Sequence, residues 1–227
     1  RKNVETVYEA VSVEKLVNNT LKLVETNCPK QVALKEELNL NGEGVLGNST
    51  QLQQVLLNIC VNAIHAIGRD EGTLTLRADV VPRTELASRL PEEKISYDWQ
   101  NYVRLSISDN GCGMDKDTLQ HIFEPFFTTK KAGQGTGLGL ALAEQIIRTH
   151  RGWICAESTL GKGTTFYIYL PVLEQERERE QLQWGQNSNL RILAVDDNQK
   201  VLSMLEKELS RLGLDVSTCA RRGDVRT

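Results

Sequence analysis

Asp109 closes the alternating stretch YVRLSISD and is followed by Asn110, Gly111, Cys112 and Gly113. Strand alternation puts its carboxylate on the face of Val103, Leu105 and Ile107, toward the core. An inward ionised carboxylate is costly unless donors satisfy it. Because it only accepts hydrogen bonds, an exocyclic amine such as that of adenine is a suitable partner. Gly111 and Gly113 would let the backbone turn beneath such a ring. The same residues would equally serve as the start of a tight Asp-Asn-Gly turn. A second group, Asn58 and Asn62, is spaced i, i+4 and stacks on one helical face. Neutral amide oxygens suit Mg²⁺, which takes few protein ligands and completes its shell with water and substrate phosphates; capping a neighbouring loop is the alternative. His65 continues that polar stripe, either toward a phosphate or into solvent.

A third group is the stretch GQGTGLGL, residues 133 to 140, with Gly133, Gly135, Gly137 and Gly139 ahead of a helix-like segment. Bare backbone opening a helix favours phosphate, through free N–H groups and the helix dipole. The spacing matches neither the dinucleotide fingerprint nor the P-loop. Lys130 and Lys131 add two cations, and Phe123, Phe126 and Phe127 form an apolar hinge just before. Residues 128 to 137 therefore read as a lid over phosphates, or else as a flexible surface connection.

These groups need elements to hold them. Residues 12 to 27 carry an apolar stripe of Val13, Leu16, Val17, Leu21 and Val24, and residues 50 to 67 form the clearest helix. The apolar face of that second helix is Leu52, Val55, Leu56, Ile59, Ala63, Ala66 and Ile67. Strand alternation is predicted at QVALKEEL, at 73 to 81, at 102 to 109, at 153 to 158 and at 164 to 170. Short helices are predicted near 115 to 122 and 138 to 150, and residues 82 to 101 read as a surface excursion. Helices and strands mix without strict alternation, which implies an α+β two-layer sandwich. The charged run 174 to 190 reads as a linker. Beyond it, RILAVDDNQKVLSMLEKELSRLGLDVSTC has the strand–helix–strand pattern that opens a doubly wound α/β fold.

The 227 residues carry a net charge of −3, which gives no reason to expect nucleic acid as a partner. Five scattered cysteines fit reduced thiols better than a disulfide frame. No apolar run is long enough to span a bilayer, so no membrane contact is expected from these residues and a cytoplasmic setting is expected, with a longer parent free to be membrane-anchored.

Taken in order, QVLLNICVNA, DNGCGMD, IFEPFFTTK, GTGLGLALAEQII and GKGTTFYIYLP resemble the N, G1, F and G2 boxes and closing strand of sensor histidine kinases. The resemblance spans about residues 12 to 171 and implies an ATP-binding catalytic domain of the Bergerat fold over residues 1 to 173. It implies that Asn62 ligates Mg²⁺, that Asn58 assists at the phosphates, and that Asp109 holds adenine with support from Thr164. It also implies phosphate contacts from Gly135, Thr136, Gly137, Leu138 and Gly139, with His65, Lys130 and Lys131 nearby. The tail ILAVDDN resembles the start of a response-regulator receiver over residues 191 to 227, with Asp196 and Asp197 in an incomplete Mg²⁺ site. The accepting aspartate and its Thr/Ser and Lys companions do not follow, so no aspartyl phosphate is expected on these residues. The parent resembles a hybrid kinase.

The implied partners are a histidine-bearing dimerisation segment and a receiver domain or response regulator. The three histidines here, His65, His121 and His150, all lie within ATP-domain motifs, and none resembles an acceptor. Two other readings stay open: a related ATPase driving conformational change, and a nucleotide-sensing module without catalysis. The related ATPases carry a glutamate as general base where this chain has Asn58, an amide that takes no proton at neutral pH. Phosphoryl transfer to imidazole needs positioning and charge neutralisation instead.

Overall fold

The computed structural model describes residues 8–68, 71–89, 99–129, 136–173, 191–196, 198–211 and 215–219. The chain divides into two compact units, Arg1–Leu173 and Glu174–Thr227. In the first, a five-stranded mixed sheet is built from β2 (Val32–Asn39), β4 (Gly72–Pro82), β5 (Asn101–Asp109), β6 (Trp153–Thr159) and β7 (Gly163–Pro171). Its order is β2-β4-β5-β7-β6, with β2 parallel to β4 and the other pairs antiparallel. A small antiparallel pair, β1 (Glu9–Ser12) with β3 (Gly44–Gly47), forms a separate sheet, joined to the end of β7 by a bridge between Val45 and Val172.

Alternation along the central strands points Leu74, Leu76, Ala78, Val103, Leu105, Ile107, Phe166, Ile168 and Leu170 to one face, and all are buried. The helices α1 (Val13–Asn27), α2 (Ser49–Ile67) and α5 (Gly139–Thr149) cover that face, which makes the expected α+β arrangement. The stripe on α1 buries Val13, Leu16, Val17 and Val24, while Leu21 is only partly buried. On α2, Leu52, Val55, Leu56, Ile59, Cys60, Ala63 and Ile67 are buried. Burial pushes the Cys60 thiol up to about 12, so it is a packed, unreactive group. The helix begins at Asn48, whose side chain accepts the Gln51 N–H at 2.9 Å. It ends at Gly68, which takes φ 73°.

The stretch 82 to 101 departs from a bare surface excursion. It opens with α3 (Arg83–Arg89), and Leu86 of that helix is 2% exposed. Period-two alternation leaves Val81, Tyr102 and Tyr169 on the face away from α2, and Leu86 packs with them in a second small core. Arg104 ties the two together, donating through Nε to Asp79 at 2.9 Å and through Nη1 to Glu85. Those carboxylates hold the guanidinium pKa above its ordinary value against the opposing effect of burial. Residues 90–98 lie outside the described residues. Leu86→Ala is expected to lower unfolding free energy by about 2–4 kcal/mol, read as a drop in urea midpoint, with nucleotide affinity unchanged. Unaltered stability would mean that α3 does not cover the sheet.

The second unit contains β8 (Arg191–Val195), α6 (Gln199–Arg211) and β9 (Asp215–Cys219), with β8 and β9 parallel. This is the strand–helix–strand order expected from the sequence. Leu202 and Cys219 are buried, while Leu193 and Val195 of β8 remain half-exposed. The run 174 to 190 lies outside the described residues. Among the described residues, no helix is long and apolar enough to cross a membrane, and all five cysteines are free thiols.

Candidate functional site

A cavity of about 500 Å³ opens between α2, the turn after β5, α4 (Lys116–His121) and the start of α5. Asn58, Asn62 and His65 reach it from α2, Asp109 and Gly113 from β5 and its turn, Thr164 from β7, and Thr136, Gly137 and Gly139 from the approach to α5. Three groups far apart in sequence are thus brought to one hollow. They meet because β5 is central in the sheet and α2 lies across it.

At one end Asp109 is 9% exposed, and its Oδ1 accepts the Gly111 N–H at 2.9 Å. Burial raises its pKa, while hydrogen bonds from the backbone of Gly111 and Thr164 hold it down. The carboxylate is therefore a prepared acceptor inside an apolar wall that includes Ile122 and Phe166. Gly113, at φ 62°, turns the chain where a side chain would strike the Thr159 carbonyl. Gly111 does not line the cavity. A Cβ there would lie 2.5 Å from the Ala66 carbonyl carbon, so glycine lets the turn rest on α2. In the same place the Cys112 N–H donates to the Ala66 oxygen at 3.0 Å. Ala66, which the sequence pattern puts on the core face, is instead a lining residue.

At the other end the Asn58 amide is pressed against α5. A Cβ on Gly139 would sit 2.6 Å from Asn58 Oδ1, so any larger residue there would have to displace the Asn58 amide. The Nδ2 of Asn58 is buried without a hydrogen-bond partner, a donor aimed at no protein acceptor. Gly137 adopts φ 66°, and its carbonyl accepts the Phe126 N–H at 2.9 Å. Leu138 caps α5 but is 42% exposed and does not line the cavity. Lys130, Lys131 and Gly135, with most of the expected lid, lie outside the described residues. In the second unit, Asp196 follows β8 and accepts the Asn198 N–H at 2.7 Å, and Asp197 lies outside the described residues. Among the described residues no group of three or more His, Cys, Asp and Glu side chains is placed to hold a metal.

Several lining residues escape sequence reasoning. Met114, Thr118, Ile122 and Leu140 reach the cavity through tertiary packing, with no polar spacing to mark them, and Phe127 of the expected hinge lines it too. Gly163 was recognisable only as part of GKGTTF. At φ 113° it lies against the Asp109 carbonyl, where a Cβ would collide.

His150 supports the site from behind. It is 3% exposed, its Nδ1 lies 2.7 Å from the Ile146 carbonyl, and its Nε2 accepts the Asn48 N–H at 3.0 Å. Those roles require the neutral ring, with the proton on Nδ1. Burial lowers its pKa from the ordinary 6.5. A depressed folded pKa means stability is full above about 6.5 and falls as pH drops from there through the folded value. Thermal midpoints of the chain and of His150→Gln, scanned from pH 8 to pH 5, are expected to differ in slope, the parent falling more steeply below about 6.5. The comparison isolates His150 from exposed His121, whose pKa the Asp117 carbonyl raises and whose contribution has the opposite sign. Equal slopes would show that His150 is protonated without penalty.

Residues 47–174 match the family model described as histidine kinase-, DNA gyrase B-, and HSP90-like ATPase. Sensor kinase CckA of Brucella abortus is 39% identical over 155 residues, which are 66% of this chain and 16% of that protein. Sensor histidine kinase ZraS of Klebsiella oxytoca is 34% identical over 177 residues, 76% of this chain and 33% of that protein. The chain therefore spans between a sixth and a third of the length of these curated relatives. Among solved structures, the catalytic domain of histidine kinase ThkA superposes with a TM-score of 0.58 at 28% identity, covering 73% of this chain and 95% of that one. With that match and the cavity's geometry, the chain belongs to the histidine kinase-, DNA gyrase B- and HSP90-like ATPase family, and it carries the ATP-binding catalytic domain of a two-component histidine kinase.

Proposed function

We propose that the cavity binds Mg·ATP with adenine at Asp109 and Thr164 and the phosphates between Asn58, Asn62 and the start of α5, and that the parent protein transfers the γ-phosphoryl group to a histidine on a separate dimerisation segment. The observation that carries this reading is the pairing of a buried acceptor, Asp109, with the unpartnered buried donor of Asn58 across one cavity. An amine at one end and an anion at the other would satisfy both. Gly137 and Gly139 bring backbone N–H groups of α5 toward the anion end, where the helix dipole favours negative charge.

A divalent cation fits this residue set. No carboxylate cage is present among the described residues, so the ion would be held by the Asn62 amide together with phosphate oxygens and water. When bound, Mg²⁺ supplies charge neutralisation at the phosphates. The chain's own residues do the rest: Asp109 orients the base, Asn58 donates at the anion end, and Ile122, Phe127 and Phe166 exclude water from the base. His65 also lines the cavity and, with Lys130 and Lys131, would add positive or polar groups for the phosphates.

Hydrolysis as the main reaction is disfavoured by Asn58, which stands where a general base would be needed. The same reading assigns residues 1–173 to the catalytic domain, 174–190 to a linker, and 191–227 to the opening of a receiver. The parallel β8–α6–β9 order and the placement of Asp196 just after β8 support the receiver assignment. Incubating the chain with γ-labelled ATP and a supplied histidine-bearing dimerisation segment should label the segment on histidine. Labelled inorganic phosphate in place of a labelled segment would favour the ATPase reading.

A further inference from the structure

Ser158 on β6 does not line the cavity, yet its hydroxyl makes three contacts beside the proposed base site. Its Oγ accepts the Met114 N–H at 2.8 Å, donates to the Gly163 carbonyl at 3.0 Å, and lies 2.9 Å from Thr164 Oγ1. The directions of the first two are not negotiable, because a backbone N–H only donates and a carbonyl only accepts. A serine hydroxyl has one proton and two lone pairs. The proton is committed to Gly163 and one lone pair to Met114. The contact with Thr164 is therefore a hydrogen bond only if Thr164 donates.

That bookkeeping settles the direction of a group which does line the cavity. The single proton of Thr164 turns toward Ser158, and what Thr164 Oγ1 offers the cavity is a lone pair. Its neighbour Asp109 is also an acceptor, and the two residues are paired directly across β5 and β7. Asp109 and Thr164 thus both present acceptors to the base.

We propose that Ser158 is a specificity-determining residue: by locking the Thr164 hydroxyl as an acceptor, it makes the site select a 6-amino purine over a 6-oxo purine. The inference rests on the adenine reading above and adds to it the residue that enforces it. A 6-oxo base would set its carbonyl against two acceptors with no donor for it there, leaving only its N1–H to offer either of them, and a buried mismatch of that kind discriminates more strongly than a lost apolar contact. Ser158 is a positioning residue, since it acts through Thr164 and touches no nucleotide.

The test is calorimetric binding of ADP and of inosine diphosphate, which differ only at the six-position and N1 of the base. The unaltered chain should prefer ADP. In Ser158→Ala the Thr164 hydroxyl is free to rotate and donate to a 6-oxo group, so the ratio of the two affinities should fall by about tenfold. Ser158→Thr keeps the hydroxyl and should keep the ratio. If Ser158→Ala weakens both nucleotides by the same factor, Ser158 is a mere brace and the proposal is overturned. If the unaltered chain binds both diphosphates equally, the adenine reading itself fails, which is a separate outcome. Should Ser158→Ala not fold, Thr164→Val decides: it deletes the same acceptor and should lower the ratio, and an unchanged ratio there overturns the proposal.

Discussion

Asn62→Ala is expected to lower phosphoryl transfer from Mg·ATP on the order of 100-fold while leaving metal-free ADP binding nearly unchanged. The asymmetry follows from where the residue lies. Asn62 is one helical turn from Asn58 on the polar side of α2, and it lines the cavity without contributing to the core behind it. Its removal leaves Ile59, Cys60 and Ala63, the buried neighbours on the same helix, in place. A change acting mainly on the metal's coordination should be felt chiefly when metal is present. Transfer and metal-free binding are to be measured on the same preparation, the second by calorimetry. If both decline by the same factor, Asn62 holds the helix in place and has no role at a metal.

Asp109→Asn is expected to weaken adenine-nucleotide binding by about 1–3 kcal/mol. The two residues have the same shape but not the same hydrogen-bonding capacity. Asp109 already accepts from the backbone of Gly111 and Thr164, and it must also accept from the adenine amine. An asparagine amide has one acceptor end and one donor end. Whichever way it flips, a donor faces a donor, either at the nucleotide or at the turn. Unchanged ADP affinity by calorimetry would remove Asp109 from the base site.

The parts of this molecule that were legible in its sequence are those in which one element carries its own signal. Alternation along SISD places Asp109 inward before any neighbour is known, and i, i+4 spacing aligns Asn58 with Asn62. The α2 stripe is equally plain, because seven apolar positions recur at helical period over nineteen residues. Ala66 shows the limit of that signal: a small apolar residue at the edge of a stripe can face either a core or a cavity, and the turn at Gly111 decides which. Leu86 shows another limit. Its charged neighbours read as surface, and only the outward Val81, Tyr102 and Tyr169 from three different strands create the apolar patch that it covers. The pair β1 and β3 has four residues in each strand, too short for a period to register. Ser158 is the extreme case, since its hydrogen bonds run to Met114, Gly163 and Thr164 on a turn and a facing strand. Alternation with Ile154 and Ala156 puts it on the inward face, but nothing in its local sequence shows which groups it meets there.

The central claim is that one cavity holds adenine at Asp109 and phosphates beside Asn58 and Asn62, and a structure of the chain with Mg²⁺ and a non-hydrolysable ATP analogue tests it most directly. The account predicts the adenine amine within hydrogen-bond distance of the Asp109 carboxylate, a phosphate oxygen on the now-orphaned Asn58 Nδ2, and the metal on the Asn62 amide. A nucleotide bound with its base at the α5 end, or outside this cavity altogether, would contradict it.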